Sequence, residues 1–545
     1  MEEITELFLK KGFLLEAKFR TITRNIDSSV SKEFVEAVTS LNEGKLVTEK
    51  NFFENVYGIK SLLIEAARKS PQKRENLVKT INFISSLVQE PEAEEELITE
   101  LPKQEVKPLT INNSNNNQTV AEEVPEQKEQ VINKGEYSVK NYIIPVKKFT
   151  VDDFTEHFKN RFIVLRDIIK NKPELDNLTS ISKLGYEKER MSVIGMVFSK
   201  HKTKNKNIIM DIEDLTGKIS VVVMNNRPEV MKKVENIVED EVIGIKCSGN
   251  SKLLFAEDIF SPDIQARRKT FDKDECAAFI SDIHIGHKNF LEKEFQNFIK
   301  WLNLEGGSEA QKEMAKKVKY LFIVGDNIEG VGVFPGQERL LTIPDLKEQY
   351  KQLAAYLDSI RKDIAIFLCA GQHDATRLAE PQPPINQIYA EDMYKIQNLN
   401  LVSNPGWVSI GKIDPIKILM YHGASFHNAI NEIDELRTSR AHDNPTKVIK
   451  FLLKKRHLAP SHSFTTYLPS NEDCLLIKDV PDIIATGDLH RAEVSNYNNI
   501  LLIASSCWQS TTPFEEKVGN HPDPCKVPIL NLKNREVKII DFSSV

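Results

Sequence analysis

The chain has 545 residues and a net charge of −6, so it is too long for one hydrophobic core and too acidic for a polycation. We expect about two to four domains, and any contact with nucleic acid must come from local patches or from a partner. The six cysteines form no C-x-x-C pair, which favours reduced thiols over disulfides or a zinc module. No apolar run approaches the roughly 20 residues that span a bilayer, so the sequence predicts a cytoplasmic protein without membrane association.

The first 90 residues show the periodicity of amphipathic helices. Apolar side chains recur at helical spacing in three stretches, 34–41, 52–63 and 77–87. We therefore predict a helical module at residues 1–90. A bundle that packs on itself is favoured, and a docking module for another protein is the alternative.

Residues 91–135 differ in composition from the segments on either side. This stretch contains Glu94-Glu95-Glu96, an Asn-rich run at 112–118 and a second Glu-rich stretch, with few apolar residues to bury. Such a composition predicts a disordered linker, whose acidic charge serves solvation rather than binding.

Residues 136–268 are predicted to form a β-barrel domain with a preceding helix near 151–169. A helix around 228–238 lies between the third and fourth of five short strand-like runs, at 192–197, 207–212, 218–223, 241–246 and 253–256. Five strands with a helix before the fourth resemble an OB-fold. Its Lys-rich loop at 200–206 would suit single-stranded nucleic acid, but aromatic residues are scarce, so a role as a packing spacer is equally favoured.

Residues 269–545 repeat one pattern five times, an apolar strand-like run followed at once by acidic, amide or histidine residues. Helical segments intervene, so we predict an α/β domain with layered sheets and helices. The five polar clusters are Asp282 with His284, Asp326, Gln372-His373-Asp374, His422, and Asp488 with His490. Strand ends are where α/β sheets present ligands, and two residues apart on an extended segment Asp282 and His284 point the same way. The clusters therefore predict a metal site.

The order of these clusters, D-x-H, G-D, G-x-H-D, H-G and G-x-x-H, resembles the calcineurin-like metallophosphoesterases, which are layered α/β/β/α sandwiches. The resemblance implies two divalent metal ions, with Mn²⁺ favoured and Mg²⁺, Fe or Zn²⁺ as alternatives. Two ions roughly 3.5–4 Å apart need a shared carboxylate and activate water for attack on phosphorus. The roles implied are metal binding for Asp282, His284, His490, His422, Gln372 and Asp488, a bridging carboxylate for Asp326, and catalysis by His373 with Asp374 orienting it.

Three stretches between the clusters are more specific, namely 330–337 (GVGVFPGQ), 375–383 (ATRLAEPQP) and 507–514 (CWQSTTPF). Together with the order helical module, linker, OB-fold and phosphoesterase, they resemble the small subunit of the archaeal family D replicative DNA polymerase. That resemblance implies a 3′–5′ proofreading exonuclease, with polymerase activity in a separate large subunit. It also implies DNA with a single-stranded primer 3′ end as substrate, and leaves a sliding clamp as a further partner.

Two positions depart from the family pattern, Gln372 in place of Asn and Asp488 in place of His. Both fall on the implied second metal, where Gln keeps a carbonyl oxygen and Asp offers an anionic oxygen in place of an imidazole. They favour an alternative in which the chain is a catalytically weak or inactive scaffold subunit that holds the large polymerase subunit. A repair nuclease is disfavoured because an OB-like module precedes the catalytic domain. The remaining histidines of this region, including His427 and His457, are expected to be structural or surface residues.

Overall fold

The computed structural model contains two compact units, residues 1–121 and residues 122–545, and each is described by itself. The described residues are 2–11, 13–15, 22–23, 26, 28–41, 46–47, 52, 55, 59, 62–63, 66, 73–87, 128–144, 147–512, 515 and 520–543. Most of the predicted linker, up to residue 127, lies outside them. None of the helices formed by these residues is long and apolar enough to cross a membrane.

The described part of the first unit is mainly helical. Its helices are Glu2–Lys10, Ser31–Leu41 and Arg74–Leu87, and two short parallel strands are β1 (Leu14–Leu15) and β2 (Leu46–Val47). Phe8, Phe34 and Ile81 are among the fully buried side chains of one shared core. The apolar spacing of the sequence therefore corresponds to a buried helix face.

The described part of the second unit starts with a hairpin that the sequence did not predict. Strand β3 (Lys128–Asn133) pairs with β4 (Tyr137–Ile143). Residues 128–135 are therefore not part of a linker, and residues 136–143 do not belong to the barrel domain, so both expectations were wrong. The Glu-, Gln- and Lys-rich composition hid the strands, and the hairpin is held in place by a distant strand that pairs with β4.

A closed five-stranded barrel follows the long helix Val151–Ile169. Its strands, in the closed order β5-β6-β7-β9-β8, are β5 (Glu189–Lys202), β6 (Ile208–Asp214), β7 (Gly217–Val223), β8 (Val242–Asn250) and β9 (Leu253–Phe260). The helix Pro228–Glu235 lies between β7 and β8, so the five strands and the intervening helix predicted from the sequence are all present. Leu165 and Ile169 of the long helix pack against Ile194 and Val242 on the outside of the barrel.

The remaining strands form two sheets. They are β10 (Cys276–Ile280), β11 (Val318–Val324), β12 (Ala365–Cys369), β13 (Leu399–Val402), β14 (Gly406–Ile410), β15 (Ile416–Met420), β16 (Ile483–Thr486), β17 (Glu493–Tyr497), β18 (Ile500–Ala504), β19 (Lys526–Asn531) and β20 (Val537–Asp541). The six-stranded sheet has the order β13-β12-β11-β10-β19-β20, and the seven-stranded sheet has the order β17-β18-β16-β15-β14-β4-β3. The early hairpin thus extends the second sheet, with β4 antiparallel to β14.

The two sheets face each other and helices cover their outer faces. Alternation along β10 places Phe279 in the layer between the sheets, with Met420 of the second sheet, and turns Ile280 to the outer layer. The helices of the first outer face are Glu292–Leu302, Glu309–Lys317 and Leu346–Asp358; those beside the second sheet are Phe426–Glu432, Asp434–Thr438 and Thr446–Lys455. The result is a layered α/β architecture with two central sheets.

Candidate metal centre

The five predicted polar clusters converge at one edge of the two sheets. Strands β10, β11 and β12 are parallel to one another in one sheet, as are β15 and β16 in the other, so carboxyl ends lie together within each sheet. The contact of His422, after β15, with Asp326, after β11, joins the two sets of ends. Asp282, Asp326, Gln372, His422 and Asp488 follow these five strand ends in turn. The fold therefore brings together clusters that are up to about two hundred residues apart in the sequence.

The backbone of this edge is held in an unusual conformation. Asp282, His284, Asp326, Asp488 and His490 all have positive φ, between 46° and 70°. A non-glycine residue in this region costs on the order of 1–3 kcal/mol, and such residues concentrate at functional sites. The turns after three of the strands are thus strained in a way that aims side chains into one cluster.

One glycine explains how closely the turns approach each other. A Cβ on Gly371 would lie 2.1 Å from Asp326 Oδ1 and 2.4 Å from the Asp326 backbone nitrogen. The G-x-H-D motif therefore needs glycine because the β12 turn lies directly against the β11 turn. The same contact lets the backbone N–H of His373 donate to Asp326 Oδ1 at 2.9 Å.

Two buried carboxylates occupy the centre of the cluster, Asp282 and Asp326. His490 Nε2 lies 3.3 Å from Asp282 Oδ1, and His422 Nε2 lies 3.3 Å from Asp326 Oδ2. Potential ligand atoms of Asp282, His284 and His490 lie within 4.8 Å of one another, as do those of Asp282, Asp326 and His422. Asp282 is common to both groups, and the bridging role expected for Asp326 stays a prediction.

Each of the three candidate ligand imidazoles is fixed through Nδ1. His284 Nδ1 donates to Glu329 Oε2 at 2.9 Å, and His490 Nδ1 donates to Glu515 Oε1 at 2.8 Å. His422 Nδ1 lies 2.7 Å from the carbonyl oxygen of Val324, which only accepts, so this nitrogen carries the proton. In each neutral ring the lone pair is then on Nε2. This arrangement is typical of metal-binding histidines.

The charges in the cluster perturb one another. Burial opposes ionisation of Asp282, but His490 and His422 outweigh it and lower the pKa of its carboxyl. The same holds for Asp326: burial alone would raise the pKa of its carboxyl, but the charges of His422 and His373 outweigh burial and lower it. Burial favours neutral His422, yet Asp326 and Asp282 raise its pKa well above the ordinary value. The carboxylates thus create a strongly cation-attracting environment.

Gln372 and Asp488, the two departures from the family pattern, contact each other. Gln372 Nε2 donates to Asp488 Oδ1 at 3.0 Å, which leaves Gln372 Oε1 and Asp488 Oδ2 as the outward oxygens. The Nε2 atom of His427 lies 3.5 Å from Asp488 Oδ2. His427, expected to be a structural or surface residue, is therefore next to the cluster.

The structure corrects the expected relation between Asp374 and His373. His373 Nδ1 donates to the carbonyl oxygen of Glu329 at 2.8 Å, so that backbone group fixes the ring. Asp374 points the other way, because its carboxylate accepts from the backbone N–H of Gly371 at 2.9 Å and from Tyr350 at 3.1 Å. Burial, followed by the charge of Asp326, raises the pKa of Asp374 to about 6.

Sequence reasoning missed Glu329, Glu515 and His427. Glu329 lies in the polar turn three residues after Asp326, which was the only available signal. Glu515 and His427 have no local pattern that links them to His490 or Asp488. Their contacts arise between segments that meet only in the fold.

The donor atoms present fit divalent metal ions. Among the described residues, the buried side-chain atoms without a hydrogen-bond partner include five candidate ligand atoms at this edge: Asp282 Oδ1, His284 Nε2, Gln372 Oε1, His422 Nε2 and Asp488 Oδ2. Buried polar atoms normally have a partner, so such a concentration requires an explanation. Mixed carboxylate, amide and imidazole donors are the ligand types of Mn²⁺, Fe and Zn²⁺ sites. The fold and this edge define a two-sheet α/β protein with a candidate metal centre.

Comparisons with known proteins identify the family. A family model that describes the B-subunits of DNA polymerases alpha and epsilon matches residues 277–495. The Methanothermobacter thermautotrophicus protein named DNA polymerase II small subunit is 39% identical over 394 residues, which cover 72% of this chain and 80% of that protein. The Pyrococcus furiosus protein of the same name is 35% identical over 401 residues, covering 72% of this chain and 64% of its own length. The chain belongs to the family of archaeal DNA polymerase II small subunits, which confirms the resemblance seen in the sequence.

A solved structure described as a novel archaeal phosphodiesterase covers 49% of this chain and 98% of its own, at 13% identity and a TM-score of 0.24. A likeness of that size carries no argument about this chain.

Proposed function

We propose that this chain is a metal-dependent 3′–5′ exonuclease that removes nucleotides from the primer end of DNA for a separate large polymerase subunit. One observation carries the proposal: three imidazoles are anchored through Nδ1, and the Nε2 atoms of two of them, His422 and His490, lie 3.3 Å from the buried carboxylates of Asp326 and Asp282. A scaffold has no need of such an arrangement. A purely structural surface does not require five buried donor atoms without partners, because buried polar atoms normally form hydrogen bonds.

The residues have distinct proposed roles. Asp282, His284 and His490 would hold one ion, and Asp326, His422, Gln372 and Asp488 would complete the other. When bound, two divalent ions supply an activated water and neutralise charge on the phosphoryl oxygens. Mn²⁺ is favoured because the second set contains more oxygen than nitrogen donors, with Mg²⁺, Fe and Zn²⁺ as alternatives.

His373 is the proposed general acid. Its Nδ1–H is held by the Glu329 carbonyl, and its Nε2 lies 4.0 Å from Asp326 Oδ2 in a partly exposed position. When water attacks phosphorus and the bond to the 3′ oxygen breaks, a proton on Nε2 would pass to that leaving oxygen. Asp374 supports the turn through Gly371 and Tyr350 rather than the ring of His373.

The partners follow from the family and from the barrel. Relatives named small subunits of DNA polymerase II support a large catalytic subunit as partner, and a place in the cytoplasm with DNA. The strand order β5-β6-β7-β9-β8, with a helix between the third and fourth strands, supports the OB-fold assignment and thereby nucleic-acid contact. A sliding clamp remains a further proposed partner.

The test is hydrolysis of a 5′-labelled primer with a mispaired 3′ end, with and without Mn²⁺. We expect Mn²⁺-dependent release of the 3′ nucleotide by the wild type and its loss in Asp326→Asn, because that change removes a central anion. Asp392→Asn, at a half-buried aspartate that pairs with Lys395 outside the candidate metal centre, is the matched control and should cleave normally. Equal cleavage by Asp326→Asn would contradict the proposal.

The second candidate is a scaffold that holds the large subunit. It is favoured by the hydrogen bond between Gln372 and Asp488, which lets two donors of the second ion satisfy each other without metal. This function would be supported by a wild-type chain that releases no nucleotide with any of the four metals and still forms the complex with the large subunit.

A further inference from the structure

An apolar loop lies at the rim of the candidate metal centre. It follows β11 and carries Val331, Val333 and Phe334, whose exposed fractions are 48%, 38% and 39%. The ring of Phe334 lies beside that of His373, with centroids 6.2 Å apart and planes at 67°. Three large apolar side chains are thus presented to solvent next to the proposed general acid.

The loop is held firmly by two buried amide side chains. Gln349 accepts from the backbone N–H of Gly330 at 2.8 Å and donates to its carbonyl oxygen at 3.2 Å. Gln337 accepts from the N–H of Val333 at 2.9 Å and donates to the carbonyl oxygen of Glu329 at 2.9 Å. The exposed tip is therefore a supported structure, because its backbone is hydrogen-bonded to both glutamines.

The base of the loop is also fixed against His373. Gly330 has φ +76°, and a Cβ there would lie 2.3 Å from the carbonyl oxygen of His373. No other residue fits this contact without displacing the turn that carries the general acid. The position of the apolar tip is thus tied directly to the position of the reacting groups.

Exposed apolar side chains on a rigid polar rim indicate a ligand with an apolar part. A phosphodiester held at the metal centre would have its leaving oxygen near His373, and in a nucleic acid each phosphate is flanked by nucleosides. Aromatic side chains bind single strands by stacking on successive bases, largely independently of base identity. Phe334 is the aromatic group that the structure places beside His373 for such a contact.

We propose that Phe334, flanked by Val331 and Val333, stacks on the penultimate base of an unpaired DNA 3′ end, which is the base on the leaving-oxygen side of the terminal phosphodiester held at the metal centre. This inference rests on the proposed exonuclease function and specifies its substrate. A base stacked on Phe334 has left its duplex, so ends that are already unpaired avoid the cost of opening. The loop thereby makes the enzyme favour mispaired over paired primer ends.

A binding measurement tests the contact without catalysis. The DNA carries 2-aminopurine as its penultimate base, on the leaving-oxygen side of the last linkage, and a phosphorothioate at that linkage to suppress hydrolysis. Wild type and Phe334→Trp should quench the fluorescence of this base, whereas Phe334→Leu, which keeps an apolar side chain without the ring, should not. Equal quenching by Phe334→Leu and wild type would overturn the proposal.

A kinetic measurement then tests its consequence. Phe334→Ala should lower kcat/KM for an unpaired 3′ end by about 5- to 160-fold, the loss expected for one stacked base. On a primer whose last nucleotides are abasic, the same variant should match wild type. Ile413→Ala, at a 93% exposed apolar residue on a distant turn, is the control and should change neither substrate.

The outcomes separate this inference from the proposed function. A wild type that hydrolyses no DNA contradicts the exonuclease proposal, while the fluorescence experiment still decides the stacking. An active enzyme in which Phe334→Ala loses the same factor on abasic and normal ends shows that the ring acts on the chemistry or fold and refutes base stacking.

Discussion

Replacing Glu329 with glutamine would test how the fold keeps His284 in a metal-binding state. One carboxylate oxygen of Glu329 accepts from His284 Nδ1 at 2.9 Å, and the other accepts from Gln337 Nε2 at 3.0 Å. A glutamine has only one acceptor oxygen. In either orientation of the amide, its NH₂ group faces an atom that donates to Glu329 in the wild type, either His284 Nδ1 or Gln337 Nε2.

The outcome depends on the histidine tautomer. An NH₂ group beside His284 Nδ1 favours the ring form with its proton on Nε2, and a protonated Nε2 cannot bind a metal ion. Groups that hold metal-binding histidines in this way typically contribute 10- to 100-fold to metal affinity, or about 1.4–2.7 kcal/mol. We expect Glu329→Gln to weaken Mn²⁺ binding at the site containing His284 by about that factor.

The assay is calorimetric titration of the apo-protein with Mn²⁺, supported by metal counting after dialysis. Glu515→Gln is the matched variant, because Glu515 holds His490 of the same ligand group at 2.8 Å. Glu391→Gln, at an exposed surface residue, is the control. Wild-type affinity in both Glu329→Gln and Glu515→Gln would show that these carboxylates do not govern metal binding and would refute the reasoning.

Three further predictions concern the candidate metal centre, a buried histidine and the independence of the second unit. Gln372→Asn with Asp488→His should raise Mn²⁺-dependent nucleotide release, and each single change should raise it less, because the two side chains contact each other; additive effects would contradict this coupling. Burial, followed by Arg161, lowers the pKa of His457 to about 4, so the unfolded chain binds a proton there between about pH 6.5 and pH 4 that the folded chain does not. Stability should therefore fall as the pH falls through this window, and His457→Gln should flatten the fall in the free energy of unfolding; an unchanged slope would count against it. Removing residues 1–121 should preserve the second unit and its co-purification with the large subunit, and loss of co-purification would place the docking site in the removed segment.

The sequence predicted those parts of the fold that depend on local patterns. The helix at 151–169 and the five barrel strands are present, although the barrel strands are longer than predicted. The strands that precede the five polar clusters lie within a few residues of their predicted bounds; these clusters begin at Asp282, Asp326, Gln372, His422 and Asp488. Such elements are marked by short-range alternation, helical periodicity and turn residues. The convergence of the polar clusters also followed, because the ends of parallel strands meet at one edge.

The hairpin at residues 128–143 could not be found in this way. Lys140 pairs with Trp407, which is more than two hundred residues away. The strand β4 is completed by that distant neighbour and in turn holds β3, so the composition of 128–135 predicted a linker and 136–143 were assigned to the barrel domain instead.

By itself the sequence indicated the family, the order of the elements after the first hairpin and the candidate donor residues, because each is encoded in contiguous motifs. Only the tertiary structure decided what each donor contacts. Glu329 reaches His284 across 45 residues, Gln372 reaches Asp488 across 116, and Asp374 turns from His373 toward Tyr350. These contacts depend on the meeting of loops from different strands. No local pattern of side chains records such a meeting, because its geometry is set by the packing of the two sheets.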